Sequence, residues 1–378
     1  MAIATWWARR KQVKKAHTAY VKAEANDPAW DNIVDQAKQV FSDFQYDWSD
    51  FNETNMATYL TPHYQAHIRL VLRALQQLNR QNKMADIHID SAVIFNISDQ
   101  AVNANDNFDI EFRASVSDQL IDTSDGSVIF TNPSTIKEVW HFVRSDAKWL
   151  LDSIAQLDAE SLIEKGYSAQ TVLGDADKPA VRILNFANQN NFFYNADFGW
   201  MLLPRRGSLF GAASFGHSDI NYHVIGEYHN VLVQFYQYVP IPKNEHKISD
   251  YFAWFYRPGY VTQACTIAQT TLPKTYGNIV VRQRGAFDAL ALTPSGMQRV
   301  TLEGVDFDKR FLVYTTDFDQ VSSLELLNPA FMEKLLAAPY EINIEIVDNS
   351  LYLYSPDDNA DYGEMLTMLQ SAFEEMKL

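Results

Sequence analysis

The sequence predicts an α+β protein, with N-terminal helices packed on a curved antiparallel sheet and a second, β-rich α+β domain behind it. Three observations carry this. Apolar residues keep a helical spacing as far as Leu78, then alternate from Ile87, Ile89, Val93 and Phe95 onward. Helices first and a long sheet afterwards is the order of an α+β layout. Finally, 378 residues, 47% of them hydrophobic, exceed one ordinary domain and suffice for two cores. The high aromatic content, 23 Phe, 19 Tyr and 8 Trp, suits sheet-rich packing.

The first 25 residues read as a basic helix, with Trp6, Val13, Ala16 and Tyr20 near one face and Asp27-Pro28 interrupting it. A second helix runs from about Asp31, with Ile33, Ala37, Val40, Phe41, Phe44 and Trp48 as its stripe. Asn55 to Leu60 is a turn. Thr61 caps a long third helix with Pro62 at its first position, through Ile68, Leu72, Leu75 and Leu78. Phe108, Ile110 and Phe112 alternate in a strand, and Asp122 to Gly126 makes a hairpin turn where glycine tolerates positive φ. Lys137 to Arg144 and Lys148 to Ile154 are two more strands, joined by a tight turn at Ser145 to Ala147.

Here the residues resemble a family. Phe41-x-x-Phe44-Gln45-x-x-Trp48, Tyr59-Leu60-Thr61-Pro62, Asp118 with Asp122 and Gly126, Glu138 to Arg144, and Trp149 to Ile154 follow in the order of the Tim44-like domain. That family is named for the peripheral inner-membrane subunit that anchors the mitochondrial import motor. The resemblance covers about residues 35–156 and implies the cone fold of nuclear transport factor two, with membrane association. Two features depart from it. Phe130-Thr131-Asn132-Pro133 stands where the family carries a glycine turn, and the long N-terminal extension of mitochondrial members is missing, which speaks against a role in protein import. The cone fold also hosts enzymes, and Asp47, Tyr59, His63 and Asp118 are the polar residues that a cone pocket would hold. A half-buried polar rim is the simpler account of them.

The predicted organisation is a basic helix over residues 1–30, the cone domain over 31–157, a linker over 158–178, and an α+β domain over 179–378. In the last, Asp177 and Pro179 open a helix that ends at Asn188 to Asn191. Strands are predicted at Phe198 to Leu203, Val231 to Val239, Tyr251 to Tyr256, Val261 to Leu272, Asn278 to Arg282 and Phe311 to Thr315. Asn328-Pro329 starts a helix stopped by Pro339. Ile342, Ile344 and Ile346 turn at Asp348-Asn349 and return through Leu351 and Leu353, and an amphipathic helix through Met365, Leu369 and Phe373 closes the chain. Val305 to Tyr314, Asn328 to Met332 and Asp348 to Tyr352 resemble a bacterial domain family of unknown function, a resemblance extended to about 180–378 that implies no activity.

Charge narrows the partners. A net charge of −16 repels phosphate and excludes nucleic acid as the main partner. Yet Arg9, Arg10, Lys11, Lys14, Lys15 and Lys22 face only Glu24 in residues 1–25, so that segment carries +5 and the remainder −21. An anionic lipid surface is therefore one expected contact for these six side chains, with Trp6, Trp7 and Tyr20 at the interface, and packing of the helix on the acidic body is the other. The one cysteine, Cys265, forms no internal disulfide and fits a reducing compartment. The apolar start, Met1 to Trp7, is short for a signal peptide, and no run reaches membrane-span length. The expected place is the cytoplasm, at the inner face of the membrane.

Chemical motifs are weak. Gly211-Ala-Ala-Ser-Phe-Gly216-His217-Ser218 differs from a phosphate-binding loop by carrying His217 where the loop needs Lys. His217, Asp219, His223, Glu227 and His229 would share one face of an extended strand, but residues six apart stand about 20 Å apart, too far for one ion. His63 and His67 lie one helical turn apart and read as a solvated face. No metal, cofactor or catalytic set is predicted. The expected function is a non-enzymatic binding or scaffold protein, with an unidentified protein partner or lipid, against the alternative of a small-molecule enzyme or carrier using the cone cavity.

Overall fold

Four long antiparallel strands in sequence order form the sheet of the first unit, because each hairpin connection is short and each strand alternates apolar and polar residues. The computed structural model divides the chain into two compact units, Met1–Ser168 and Ala169–Leu378. It describes residues 2–100, 102, 105–146, 148–156, 179–194, 199–202, 220–238, 265–272, 274–284, 293, 296–302, 305–316, 325–356 and 360–376.

In the first unit, α1 (Ala2–Glu24) leads into a short 3-10 turn, Pro28–Trp30, then α2 (Ile33–Ser49), α3 (Glu53–Met56) and α4 (Pro62–Gln77). Asp27 caps the 3-10 turn by accepting from the Ala29 amide, and Thr61 caps α4 by accepting from the Tyr64 amide, with Pro62 at the first position. The sheet follows as β1 (Arg80–Ser98), β2 (Asn107–Asp122), β3 (Val128–Ser145) and β4 (Lys148–Gln156). Register shifts at Ala85/His88, Ile89/Ser91, Ile94/Asn96 and Leu120/Ile121 insert bulges, which bend a sheet.

One face of that sheet wraps the helices. Phe108, Ile110, Phe112 and Ala114 of β2 and Trp140 and Phe142 of β3 are fully buried against Phe41 and Phe44 of α2 and Trp30 of the 3-10 turn. Phe41 stands 4.6 Å from Phe112 and 4.9 Å from Trp140, ring centre to ring centre. Each such side chain contributes about 1.5–3 kcal/mol by leaving water. The free edge of β4 is closed by main chain: the Thr61 amide donates to the Leu151 carbonyl at 2.9 Å, and the Leu151 amide to the Tyr59 carbonyl at 2.8 Å.

The second unit is built on nine antiparallel strands in the order β10-β11-β9-β12-β13-β8-β7-β6-β5. These are β5 (Phe193–Tyr194), β6 (Ile220–Tyr228), β7 (Val231–Tyr238), β8 (Cys265–Thr271), β9 (Ile279–Gln283), β10 (Gln298–Val300), β11 (Phe311–Thr315), β12 (Asn343–Val347) and β13 (Ser350–Ser355). Helices α5 (Pro179–Asn190), α6 (Val305–Arg310), α7 (Pro329–Ala337) and α8 (Tyr362–Glu375) share one core with Phe235, Ala268, Val281, Ile344 and Leu353 on one face of the sheet. Asn328 caps α7 through the Phe331 amide and Asp361 caps α8 through the Glu364 amide.

Three expectations are corrected. Residues 199–202 form a 3-10 turn rather than a strand over 198–203, since a short apolar run lacking period does not distinguish the two. Phe130 to Pro133 is no turn but part of β3, with Phe130 opposite Leu120 and Pro133 opposite Ser117. β4 ends opposite Glu138, so Pro133 sits where its missing amide interrupts no ladder to β4. His67 is buried beside Tyr64, not part of a solvated face. The predicted linker, Asp177, the strand at 251–256 and the 211–218 loop lie outside the described residues.

Candidate functional site

The helix α1 sorts its basic residues by face. Ala16 and Ala23 are buried, and Arg9, Gln12, Val13, Ala19, Tyr20 and Glu24 are partly covered around them. Trp7, Arg10, Lys11, Lys14, Lys15, Val21 and Lys22 are exposed, Trp7 by 59% and Val21 by 50%. Five of the six predicted basic contacts thus form one outward stripe, with the Arg10 guanidinium 5.9 Å from the Trp7 ring centre. The sixth is turned inward. Arg9 grips Glu111 of β2 with two bonds, Nε to Oε2 at 2.8 Å and Nη2 to Oε1 at 2.6 Å. Glu111 is 1% exposed, and Arg113 reaches it too at 3.1 Å. Arg9 therefore holds the helix to the sheet and is not part of the outward surface.

The other end of α1 is fixed by a different set. Arg144 of β3 donates to Asp27 at 2.5 Å and to the buried Asp106 at 2.9 Å. The Arg144 hydrogen bond, with that of the Ala29 amide, holds the Asp27 carboxyl below its usual range. Trp149 donates its ring N–H to the Ala29 carbonyl at 2.8 Å and lies 4.6 Å from the fully buried Trp30.

Of the four predicted pocket residues, Asp47 and Tyr59 come together, Asp118 lies in a second cluster and His63 is exposed. Asp47, 6% exposed, accepts from Asn52 Nδ2 at 2.9 Å, Asn55 Nδ2 at 2.7 Å and the Tyr59 hydroxyl at 2.7 Å. That knot ties α2 to the turn before α4, and burial with the bond to Asp47 drives the Tyr59 hydroxyl pKa well above 10. Asp118 accepts from Asn82 Nδ2 at 2.6 Å, while Asn82 Oδ1 accepts the Trp48 ring N–H at 2.9 Å, so it pins β1 and β2 to the end of α2. His63 is exposed on α4. With both Asp47 oxygens occupied, the arrangement is that of a helix-turn clamp.

On the opposite face of the same sheet, His141 Nδ1 and Asp109 Oδ1 stand 2.5 Å apart across β2 and β3. Burial pulls the imidazole pKa down, but the bond and charge of Asp109, with Asp152 beyond, outweigh it and raise the value.

In the second unit, the predicted histidine face is broken. A register shift between Asn221 and Val224 turns His223 inward, where its Nε2 lies 2.9 Å from Gln234 Oε1. Glu227 is exposed, and His229 sits at the β6–β7 turn within 2.6 Å of Gln370. Residues 217 and 219 lie outside the description. Among the described residues no three His, Cys, Asp or Glu side chains gather as a metal site.

One feature escaped the sequence reading. Gln234, Gln269, Tyr352 and Glu345 stand in register across β7, β8, β13 and β12, on the face away from the helices, and all are buried. Tyr236 donates to Gln269 Oε1 at 2.9 Å, and Gln269 Nε2 to the Leu202 carbonyl at 2.9 Å. The alternation Gln234-x-Tyr236 in an apolar strand was the available signal.

Among known proteins, no curated protein matches the sequence. Two solved structures are similar to parts of it. The crystal structure of the mycobacterial trehalose monomycolate transport factor A is 14% identical with a TM-score of 0.36, over 53% of this chain and 94% of that one. The intermembrane-space region of the chloroplast protein ARC6 is 12% identical with a TM-score of 0.26, over 32% of this chain and 95% of that one. At such scores neither speaks to what this chain does. Family models match two stretches, one described as Tim44-like domain over residues 18–156 and one as Protein of unknown function (DUF3137) over residues 268–376. The first match falls on the helices and four-stranded sheet of the first unit, so residues 18–156 are similar to the Tim44-like domain, and residues 268–376 are similar to the second family.

Proposed function

We propose that the protein is a non-enzymatic binding or scaffold protein that docks reversibly on an anionic membrane surface through the outward face of α1, while its Tim44-like domain engages a protein partner. The observation that carries this is the stripe of Arg10, Lys11, Lys14, Lys15 and Lys22 beside an exposed Trp7, on a chain whose net charge is −16. Such a stripe is out of keeping with the rest of the molecule, and the membrane association of Tim44-like proteins agrees with it. The predicted site is the cytoplasmic face of a membrane.

The strength of the contact follows from the geometry. Each basic side chain near an anionic leaflet contributes about 1 kcal/mol, so five give roughly 5 kcal/mol, a dissociation constant of about 0.1–1 mM. The inward face is already committed to the sheet through Ala16, Ala23 and Arg9. Among the described residues the docked helix therefore offers charge with the apolar side chains of Trp7 and Val21. Binding of that kind is superficial and screened by salt. Among the described residues no helix is long and apolar enough to cross a membrane.

The test is co-sedimentation of the full chain with phosphatidylglycerol vesicles at low and high salt, beside a variant with Lys11, Lys14, Lys15 and Lys22 replaced by Gln. The wild type is expected to pellet at low salt alone and the variant to stay in solution, with unchanged circular dichroism. Equal pelleting by both proteins refutes the reading.

A further inference from the structure

We infer that α1 is a releasable strap: Glu111 holds Arg9 in reserve, anionic headgroups compete with Glu111 for it, and membrane engagement lifts the helix from the sheet about its C-terminal end. This rests on the proposed membrane contact and adds how that contact is regulated.

The two ends of α1 are held unequally. At the far end, Trp30 is fully buried against Trp149 and Phe108, Arg144 grips Asp27 and Asp106, and the Trp149 ring N–H holds the Ala29 carbonyl. Those contacts lie beyond the helix, past the turn at Ala25 and Asn26, and they do not require α1 to stay down. Toward the near end, Arg9 bonds to Glu111 and Gln12 donates to the Phe95 carbonyl at 3.3 Å. The buried side chains between are Ala16 and Ala23, the smallest that carry a Cβ, with Val13, Ala19 and Tyr20 only partly covered, so the apolar area that resists departure is modest.

The exchange is chemically matched. A phosphate accepts the planar guanidinium fork through two oxygens, as the Glu111 carboxylate does now. Glu111 also keeps a cation when Arg9 leaves, because Arg113 Nε lies 3.1 Å from the same Oε1. Release therefore does not strand an unpaired buried charge, the usual barrier to breaking such a pair. Once lifted, the helix adds Arg9 to the outward five and frees its inner face for the lipid interface.

The experiment compares the full-length wild type, Glu111→Gln, Arg9→Gln and Asp99→Asn, the last removing one exposed acid as a control for charge alone. Two readings are taken: tryptic cleavage after Lys11, Lys14 and Lys15 without vesicles, and co-sedimentation with phosphatidylglycerol vesicles. Glu111→Gln is expected to cleave about tenfold faster, the effect of weakening one charge-assisted hydrogen-bond pair, and to bind vesicles more tightly than both wild type and Asp99→Asn. Arg9→Gln is expected to cleave faster in the same way, which covers misfolding of either variant. If wild type binds vesicles and Glu111→Gln binds no better than Asp99→Asn, the strap is overturned and the membrane reading stands. If cleavage is unchanged in both variants, the strap is likewise overturned. If neither wild type nor Glu111→Gln binds vesicles, both readings fall.

Discussion

Replacing Asp47 by asparagine preserves its shape and removes its charge, and the cost follows from what surrounds it. The carboxylate accepts three side-chain donors, Asn52 at 2.9 Å, Asn55 at 2.7 Å and Tyr59 at 2.7 Å, and donates none. An asparagine offers one acceptor oxygen and must aim its own NH2 at one donor. If it faces Asn52, that residue must flip its amide to accept. Asn52 Oδ1, however, already accepts from the Asn55 amide to cap α3, so the flip loses the cap. Losing charge assistance on two bonds and one bond outright, at a site 6% exposed, costs about 2–4 kcal/mol. Because the chain has two units, global melting is a poor assay, and hydrogen exchange read by peptide is better. Peptides covering residues 41–61 should exchange roughly 30–900-fold faster, while those of the second unit stay unchanged. Tyr59→Phe should cost less, about 1–2 kcal/mol, and the double variant should fall short of the sum. A shift under about 0.5 kcal/mol for Asp47→Asn would show that the knot is incidental to the α2–α4 turn. The pH sign is also fixed: folding favours the protonated Tyr59, so its contribution is complete below pH 10 and is lost as pH rises toward the raised folded value.

Three further outcomes are expected. An alanine Cβ at Gly226 falls 1.9 Å from Phe192 Cδ1, so Gly226→Ala should destabilise the second unit by about 1–3 kcal/mol, and adding Phe192→Leu should recover part of it, read by hydrogen exchange of peptides from β6 and β7. The His141 ring should titrate by NMR above its ordinary 6.5, its contribution to stability being complete below that value and lost as pH rises through the folded pKa; a midpoint below 6.5, or one unmoved by Asp109→Asn, contradicts the pairing. Asp27 has the opposite sign: its contribution is present above pH 3.8 and lost as pH falls through the lowered folded value, and Arg144→Gln should reduce that dependence in the exchange of residues 27–31, the Ala29 amide keeping the remainder.

Much of the fold was legible because its signals are local. Thr61-Pro62, Asn328-Pro329 and the Asp122 to Gly126 turn form as the sequence predicts, since caps and turns need only neighbours in the chain. Phe311 to Thr315 and the Asp348-Asn349 hairpin follow from alternation bounded by turn residues. What failed depended on partners distant in sequence. Pro133 looked like punctuation because the sequence does not say that β4 ends opposite Glu138. His67 looked solvated because His63, one turn earlier, is; Tyr64 and the burial of that part of α4 decide otherwise. An unbroken strand would put the histidines of 217–229 on one face, but the register slips between Asn221 and Val224, and His223 is buried beside Gln234. Of the candidate pocket residues, Asp47, Tyr59 and Asp118 are buried, but Asp47 and Tyr59 share one knot and Asp118 belongs to another, which only pairing across the fold reveals.

The basic helix is the instructive case, because its division was present in the sequence and a charge count hid it. Six cations against one acid read as a single patch. Arg9 stands seven residues before Ala16 and fourteen before Ala23, and at 3.6 residues per turn those three positions share one side. Small residues on that side let a helix approach a sheet closely, and the cation in line with them meets the one acid that β2 buries there, Glu111. Lys11, Lys14, Lys15 and Lys22 fall on the other side and stay exposed. The same reasoning gives a further expectation. Ala16→Leu keeps every charge but adds bulk where the helix meets the sheet, at a cost of about 1–3 kcal/mol in the docked state. It should speed tryptic cleavage after Lys11, Lys14 and Lys15 as Glu111→Gln does, without altering net charge. If it leaves cleavage at the wild-type rate, α1 is not held against the sheet along that side, and the sorting of its lysines to the outward face loses its physical basis.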